Sequence, residues 1–299
     1  MGRSEEGRPA AGGGTDTVII DAHHHLWTAD YQWLAEPGLE AIRRDYTIAD
    51  LTPRLEAAGV TATVLVEAGR CDAAETAEFL ALAATTPRIA GVVGWASLTD
   101  PDLPATLAAY RDLPGAAKLV GIRDQVQGVD DPGHLARPDV RAALAGFGAA
   151  GLTYDLVVHV GQLAASAEAA RATPGTVFVL DHLGKPRIGA GAEGFAEWRA
   201  AVAPLAACDN VVAKLSGLLV EAGPGWNVSL IRPYVEAALE LFGAERLMVG
   251  SDWPVCELVA SYAAALETVD ACLGGLSATE RAAVTAGTAI RTYRLEVVS

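Results

Sequence analysis

Two histidines one residue apart, His23 and His25, are the first side chains in the chain whose spacing can do chemistry. On an extended strand side chains alternate, so these two imidazoles share one side while His24 points to the other. Paired in this way they can share a metal ion or grip one substrate oxygen. They can equally be a histidine-rich strand end with its hydrogen bonds satisfied, and His24 reads as structural. Asp252 follows Leu247-Met-Val-Gly-Ser and precedes Trp253-Pro254, so a carboxylate ends an apolar run that proline stops. A lone Asp there is commonly a cap or a turn residue; opposite several histidines it reads as a general base or a metal ligand. His182, directly after Asp181, is either a functional imidazole or a buried histidine held by its neighbour, and His159 is open between the same two roles. Arg123 either makes a rim salt bridge or binds a carboxylate or hydroxyl-rich substrate. Lys185 and Lys214 are candidate substrate contacts. Glu67, Trp27, Trp95 and Trp253 are candidate pocket wall, although tryptophan also serves simple packing.

Eight short apolar runs must position these groups: Thr17–Asp21, Thr63–Glu67, Gly91–Ser97, Lys118–Arg123, Tyr154–His159, Val177–His182, Val211–Ser216 and Leu247–Asp252. Each is apolar through its body and polar at its C-terminal end, the pattern of strands buried on both faces of a parallel sheet. Helical segments lie between them. Asp72-Ala-Ala-Glu75 is a capping box opening a helix to about Thr85, and Asp139–Ala150 and Leu163–Ala172 are alanine-rich. Pro233–Phe242 ends at Gly243, and Ser277-Ala-Thr-Glu280 is a second box-like start. Strand alternating with helix eight times predicts an α/β fold, a single-domain (β/α)8 TIM barrel over residues 17–299. An open doubly wound sheet is the alternative, and eight units would make it unusually wide. In a barrel the active site sits at the C-terminal strand ends, where five of the six histidines fall; the sixth, His134, is in a loop.

The formal net charge of −15 argues against nucleic acid or an anionic membrane surface as partner and leaves a small molecule. Neither GxGxxG nor GxxxxGK[ST] occurs, so the nucleotide-binding fingerprints are absent. Four cysteines without a CxxC pair fit free thiols in a reducing cytoplasm. Residues 1–16, rich in Gly, Glu and Arg without an apolar stretch, read as a disordered tail and not as a secretory signal. Nothing in the sequence speaks to oligomeric state.

The string Asp21-Ala-His-His-His-Leu-Trp27 resembles the DxHxHxW opening of the amidohydrolase superfamily. Gly121–Val126, Leu180–Pro186, Lys214–Leu218 and Arg246–Pro254 resemble its sugar-lactonase branch, the L-fuconolactonase and L-rhamnonolactonase-like proteins, over about residues 17 to 295. The resemblance implies a (β/α)8 barrel that hydrolyses sugar lactones or related cyclic esters. It implies that His23, His25 and His182 line the reaction centre and that Asp252 activates the attacking water. Arg123, Lys185, Trp27, Glu67, Asp124 and Trp253 are then the candidate substrate contacts. Members often carry His where this chain has Asp124 and Gln where it has Glu67, and the Asn often found in the last helix is replaced around Gly287-Thr288.

For a metal, the resemblance offers two readings. Superfamily members with one divalent ion, such as Zn²⁺, resemble a set that His23, His25, His159, His182 and Asp252 fill here. No lysine stands at the end of strand four to bridge a second metal. The lactonase branch also resembles enzymes that need no metal, because a lactone carbonyl is already electrophilic. The expected reaction is lactone opening by water, with Asp252 as base and then acid. The alternatives are non-oxidative decarboxylation of an aromatic acid and a non-catalytic ligand-binding barrel.

Overall fold

The computed structural model describes residues 18–297, so the proposed tail at 1–16 lies outside the described residues. Eight parallel strands pair in chain order: β1 (Ile20–His24), β2 (Ala62–Val66), β3 (Ile89–Trp95), β4 (Leu119–Asp124), β5 (Thr153–Leu156), β6 (Phe178–Leu180), β7 (Val211–Leu215) and β8 (Leu247–Val249). The barrel closes just past β8, where His25 N donates to Trp253 O at 2.7 Å and Asp252 N to His23 O at 2.8 Å. That closure excludes the open doubly wound sheet.

Two apolar layers hold the barrel. Alternate strand residues such as Leu65, Ile122, Tyr154, Leu156, Ala213 and Leu215 pack outward under the helices. Ile20, Val64, Val93, Val179 and Met248 form the other layer, together with Ala289 and Tyr293 of the C-terminal helix Thr288–Tyr293. Asp155 and Lys214 alternate with the outward residues of their strands and therefore point inward. The barrel's interior thus carries buried charges beside this aliphatic layer, where such barrels usually stack branched aliphatics throughout.

The strands end earlier than their apolar runs predict. β5 stops at Leu156, β6 at Leu180 and β8 at Val249, each short of the histidine or aspartate placed at its end. After β6 and β8 the backbone turns into the left-handed region, with φ of 55° at His182 and 58° at Asp252. That conformation cannot continue a ladder. The helix expected from Pro233 begins at Val228, because the Asn227 side chain accepts from Leu230 N and caps it there.

Candidate active site

His23 and His25 project from the end of β1 into the barrel mouth, and His24 turns away to bond Thr63 Oγ1 at 3.0 Å. A register shift between Asp21 and His24 accompanies this. Their Nε2 atoms lie 3.1 Å apart. His25 Nδ1 donates to the Val66 carbonyl at 2.9 Å, which fixes the proton on Nδ1 and leaves the Nε2 lone pair facing the site. Asp252 Oδ1 lies 3.8 Å from His23 Nε2, 3.6 Å from His25 Nε2 and 3.8 Å from His182 Nε2. One carboxylate oxygen therefore faces three imidazole nitrogens. Burial works to raise the Asp252 carboxyl, but His182, His25 and Lys185 outweigh it and hold Asp252 below the ordinary carboxylate range.

The loop after β6 presents two groups at once. His182, Leu183, Gly184 and Lys185 have φ of 55°, 52°, 74° and 53°, a run of four left-handed residues. For each non-glycine this costs roughly 1–2 kcal/mol, so neighbours must hold it. Leu183 is buried, its carbonyl accepts from Trp198 Nε1 at 2.7 Å, and Lys185 N donates to His182 O at 3.0 Å. The turn brings the side chains of both His182 and Lys185 to the pocket wall. His182 Nδ1 pairs with Ser216 Oγ at 2.9 Å, leaving its Nε2 turned to Asp252. Gly217 is required beside it: a Cβ there would come within 2.6 Å of His182 Nδ1.

Beneath the histidines lies a buried network of charges. Lys214 Nζ is 2.6 Å from Asp155 Oδ2, 2.9 Å from Asp181 Oδ1 and 3.1 Å from His23 Nδ1. Tyr293 OH donates to Asp155 Oδ2 at 2.6 Å, tying the C-terminal helix to it. Arg123 donates to Asp181 Oδ2 at 2.9 Å, to Glu67 Oε1 at 2.5 Å and to the Glu67 carbonyl at 2.6 Å. Burial works to raise the Asp181 carboxyl, but Lys214, His23 and Arg123 hold it well below the usual range.

The pocket above measures about 420 Å³ and is lined by His25, Trp27, Arg123, His182, Lys185 and Asp252, with Gln125, Gln127 and Glu221 among others. Several expected contacts are elsewhere. His159 is exposed; it begins a short 3₁₀ turn, with its N–H donating to Gln162 Oε1, and it joins neither group of candidate metal ligands. Because β5 ends three residues before it, the chain has already left the barrel wall. Glu67 is fully buried behind Arg123, where it also accepts from Gln125 Nε2 and Gly69 N. Asp124 accepts from Trp95 Nε1, Leu98 N and Gln125 N and holds the loops after β3 and β4. Trp253 is buried, its Nε1 donating to Glu257 Oε1 at 2.8 Å. None of these three lines the pocket. Thr288 bonds the Glu245 carbonyl at 3.1 Å. Asp155, Asp181, Ser216 and Glu221 were not singled out as site residues from the sequence. For Asp155 a signal existed, a charge inside an otherwise apolar run, as at Lys214.

Burial pushes His182 down to about 4 despite Asp252 and Asp181, and His24 down to about 3. Both are neutral in the folded protein at neutral pH, whereas histidines of an unfolded chain titrate near about 6.5. Below that pH the unfolded state binds more protons at these two histidines, so stability falls as the pH drops from about 6.5 towards 4, by more than the buried carboxyl of Glu75, pushed up to about 7 by burial, returns over that range. Urea unfolding between neutral pH and about pH 5, with chelator present, checks this. An unfolding free energy that stays level or rises on acidification contradicts it.

His23, His25 and Asp252 form one candidate metal group, and His23, Asp181 and His182 a second. Separations of 3.1, 3.6 and 3.8 Å in the first bracket the ligand-to-ligand spacing of about 3.3 Å around a tetrahedral ion bound at about 2.0 Å. The donors fit a zinc-like ion: imidazole nitrogens beside an ionised carboxylate.

Residues 20–295 match the amidohydrolase family. The chain is 39% identical over 294 residues to an L-fucono-1,5-lactonase of Burkholderia multivorans, covering 92% of this chain and 96% of that protein. To an L-fucono-1,5-lactonase of Burkholderia ambifaria it is 37% identical, covering 94% and 97%. Its fold is similar, with a TM-score of 0.87 and 38% identity over 93% of this chain and 100% of the other, to a crystal structure of a Burkholderia multivorans amidohydrolase with bound zinc. No helix among the described residues is long and apolar enough to cross a membrane. With the barrel, the paired histidines and the strand-eight aspartate in place, the chain belongs to the amidohydrolase family.

Proposed function

We propose that this chain hydrolyses a lactone, with Asp252 as the base that activates water. One observation carries the reading: an ionised Asp252 oxygen at the pocket floor faces the Nε2 atoms of His23, His25 and His182 at 3.6–3.8 Å. The likeness to two L-fucono-1,5-lactonases supports a cyclic ester as the substrate. Asp252 takes a proton from a water held against His23 and His25, and the water oxygen attacks the lactone carbonyl. His182 stabilises the oxyanion that develops, and Arg123, committed to Glu67 and Asp181, holds the network behind it. As the ring C–O bond breaks, Asp252 returns its proton to the leaving alkoxide, so lactone plus water gives the hydroxy acid. Lys185 and Trp27 contact the ring substituents.

His23, His25 and Asp252 would hold one divalent ion, Zn²⁺ in our reading, with His182 beside it. Such an ion, when bound, adds positive charge against the oxyanion. Purified protein is expected to contain close to one equivalent of metal, and His25→Ala to lose it, both by elemental analysis. Full activity of metal-free protein would remove the ion from this reading and leave the acid–base chemistry. A pH-indicator screen of aldonolactones and aromatic lactones, with and without chelator, tests the reaction itself. Carbon dioxide release from an aromatic acid, with no lactone opened, would instead support the decarboxylase alternative.

A further inference from the structure

We propose that Glu221 is the specificity-determining residue of this pocket, selecting neutral hydroxylated rings and rejecting those with a carboxylate substituent. The proposal rests on the lactone-hydrolase reading and goes beyond it to a residue and a charge rule. Glu221 lies on the short helix Leu218–Ala222 after β7, is half-buried, and lines the pocket together with Lys185, His182 and Asp252.

The charges of the pocket decide what can bind. Two cations line it, Arg123 and Lys185. The Arg123 guanidinium is already paired with Glu67 and Asp181, so it has no unmatched charge to offer an anion. Lys185 bonds an uncharged group, Gln127 Oε1. It is the one lining cation not paired with a carboxylate among the described residues, and the charges that act on Glu221 are those of Lys185 and Asp252. A substrate carboxylate at this wall would meet Glu221, with Glu36 also lining the pocket and Lys185 the one unpaired cation beside them, while the charge of Asp252 is taken up by the imidazoles and the ion it would hold.

The Glu221 carboxylate accepts no hydrogen bond from the protein among the described residues. Its burial raises the carboxyl somewhat, with Asp252 adding to that and Lys185 opposing it. A desolvated carboxylate with uncommitted oxygens is a strong acceptor for hydroxyl groups. Lys185, with ammonium protons beyond the one given to Gln127, is the matching donor. Trp27 and Trp33, which also line the pocket, offer flat apolar surface to the ring. Together they suit a ring that carries hydroxyls and no charge.

The test uses binding, so that it does not depend on turnover. A hydroxylated δ-lactam, the ring amide in place of the ester, and the same lactam bearing one carboxylate are titrated into the full-length protein by calorimetry. The wild type is expected to bind the neutral lactam at least about tenfold more tightly. Glu221→Gln is expected to shrink that ratio by roughly tenfold, chiefly by admitting the carboxylated lactam, and Glu221→Leu to weaken the neutral lactam as well. A ratio unchanged in Glu221→Gln, in protein that still opens lactones, overturns the role of Glu221 and leaves the lactone reading intact. If the wild type binds neither lactam and opens no lactone, both fall.

Discussion

Asp252→Asn is expected to lower kcat by about 10²–10⁴-fold with little change in KM. Asparagine keeps the size and the acceptor oxygen, and the backbone bond from residue 252 N to His23 O at 2.8 Å does not involve the side chain. What it removes is the negative charge that can receive a proton. Because His182, His25 and Lys185 hold the Asp252 carboxyl low, the wild-type base is ionised through the neutral range. The rate should therefore show no loss of base on the acid side until well below neutral pH. Steady-state kinetics on a good lactone, across neutral and mildly alkaline pH, checks both parts. Wild-type turnover by Asp252→Asn would falsify the mechanism and move water activation to a histidine or a metal alone. Lys185→Met, by contrast, is expected to act mainly on KM, since Lys185 stands on the pocket wall and not at the floor.

Lys214→Met has the largest expected effect on stability, about 3–5 kcal/mol lost, the usual cost of removing one partner from a buried ion pair. The side chain is fully buried and stands within 2.9 Å of both Asp155 and Asp181. Methionine fills nearly the same volume, so the loss comes from two carboxylates left facing each other inside the barrel. Asp155→Asn in the same chain should restore part of the loss, because it removes one of the stranded charges. Urea denaturation of the two single variants and the double variant measures this coupling. If the single Lys214→Met variant unfolds within about 1 kcal/mol of wild type, the network is not what holds the centre of the barrel. His23 should also be affected, since Lys214 and Asp181 both reach its Nδ1.

The sequence by itself determined the barrel and the outline of the site. Eight apolar runs bounded by polar ends force strands buried on both faces, and that pattern is local. The alternation of side chains along a strand likewise fixed His23 and His25 together and turned His24 away. Asp252 was legible as a candidate because a strand-end carboxylate, by itself commonly a cap or a turn residue, stood opposite several strand-end histidines. Which strand-end residues converge was decided only by the tertiary structure. His159 reads like the other histidines, but β5 ends at Leu156 and the chain has left the wall before reaching it. Glu67 and Asp124 read as pocket contacts, and both are consumed by protein donors, Glu67 by Arg123 and Asp124 by Trp95 and two backbone amides. Conversely Asp155, Asp181 and Lys214 come from three neighbouring strand units, β5 to β7, and only the pairing of those strands places Lys214 within 3 Å of both carboxylates. Glu221 reaches the pocket because the chain turns at Gly217 with φ +68° into a short helix over the mouth. Pairing across a closed barrel and left-handed turns depend on contacts far apart in the chain, such as Lys214 with His23, 191 residues away, and no local period encodes them.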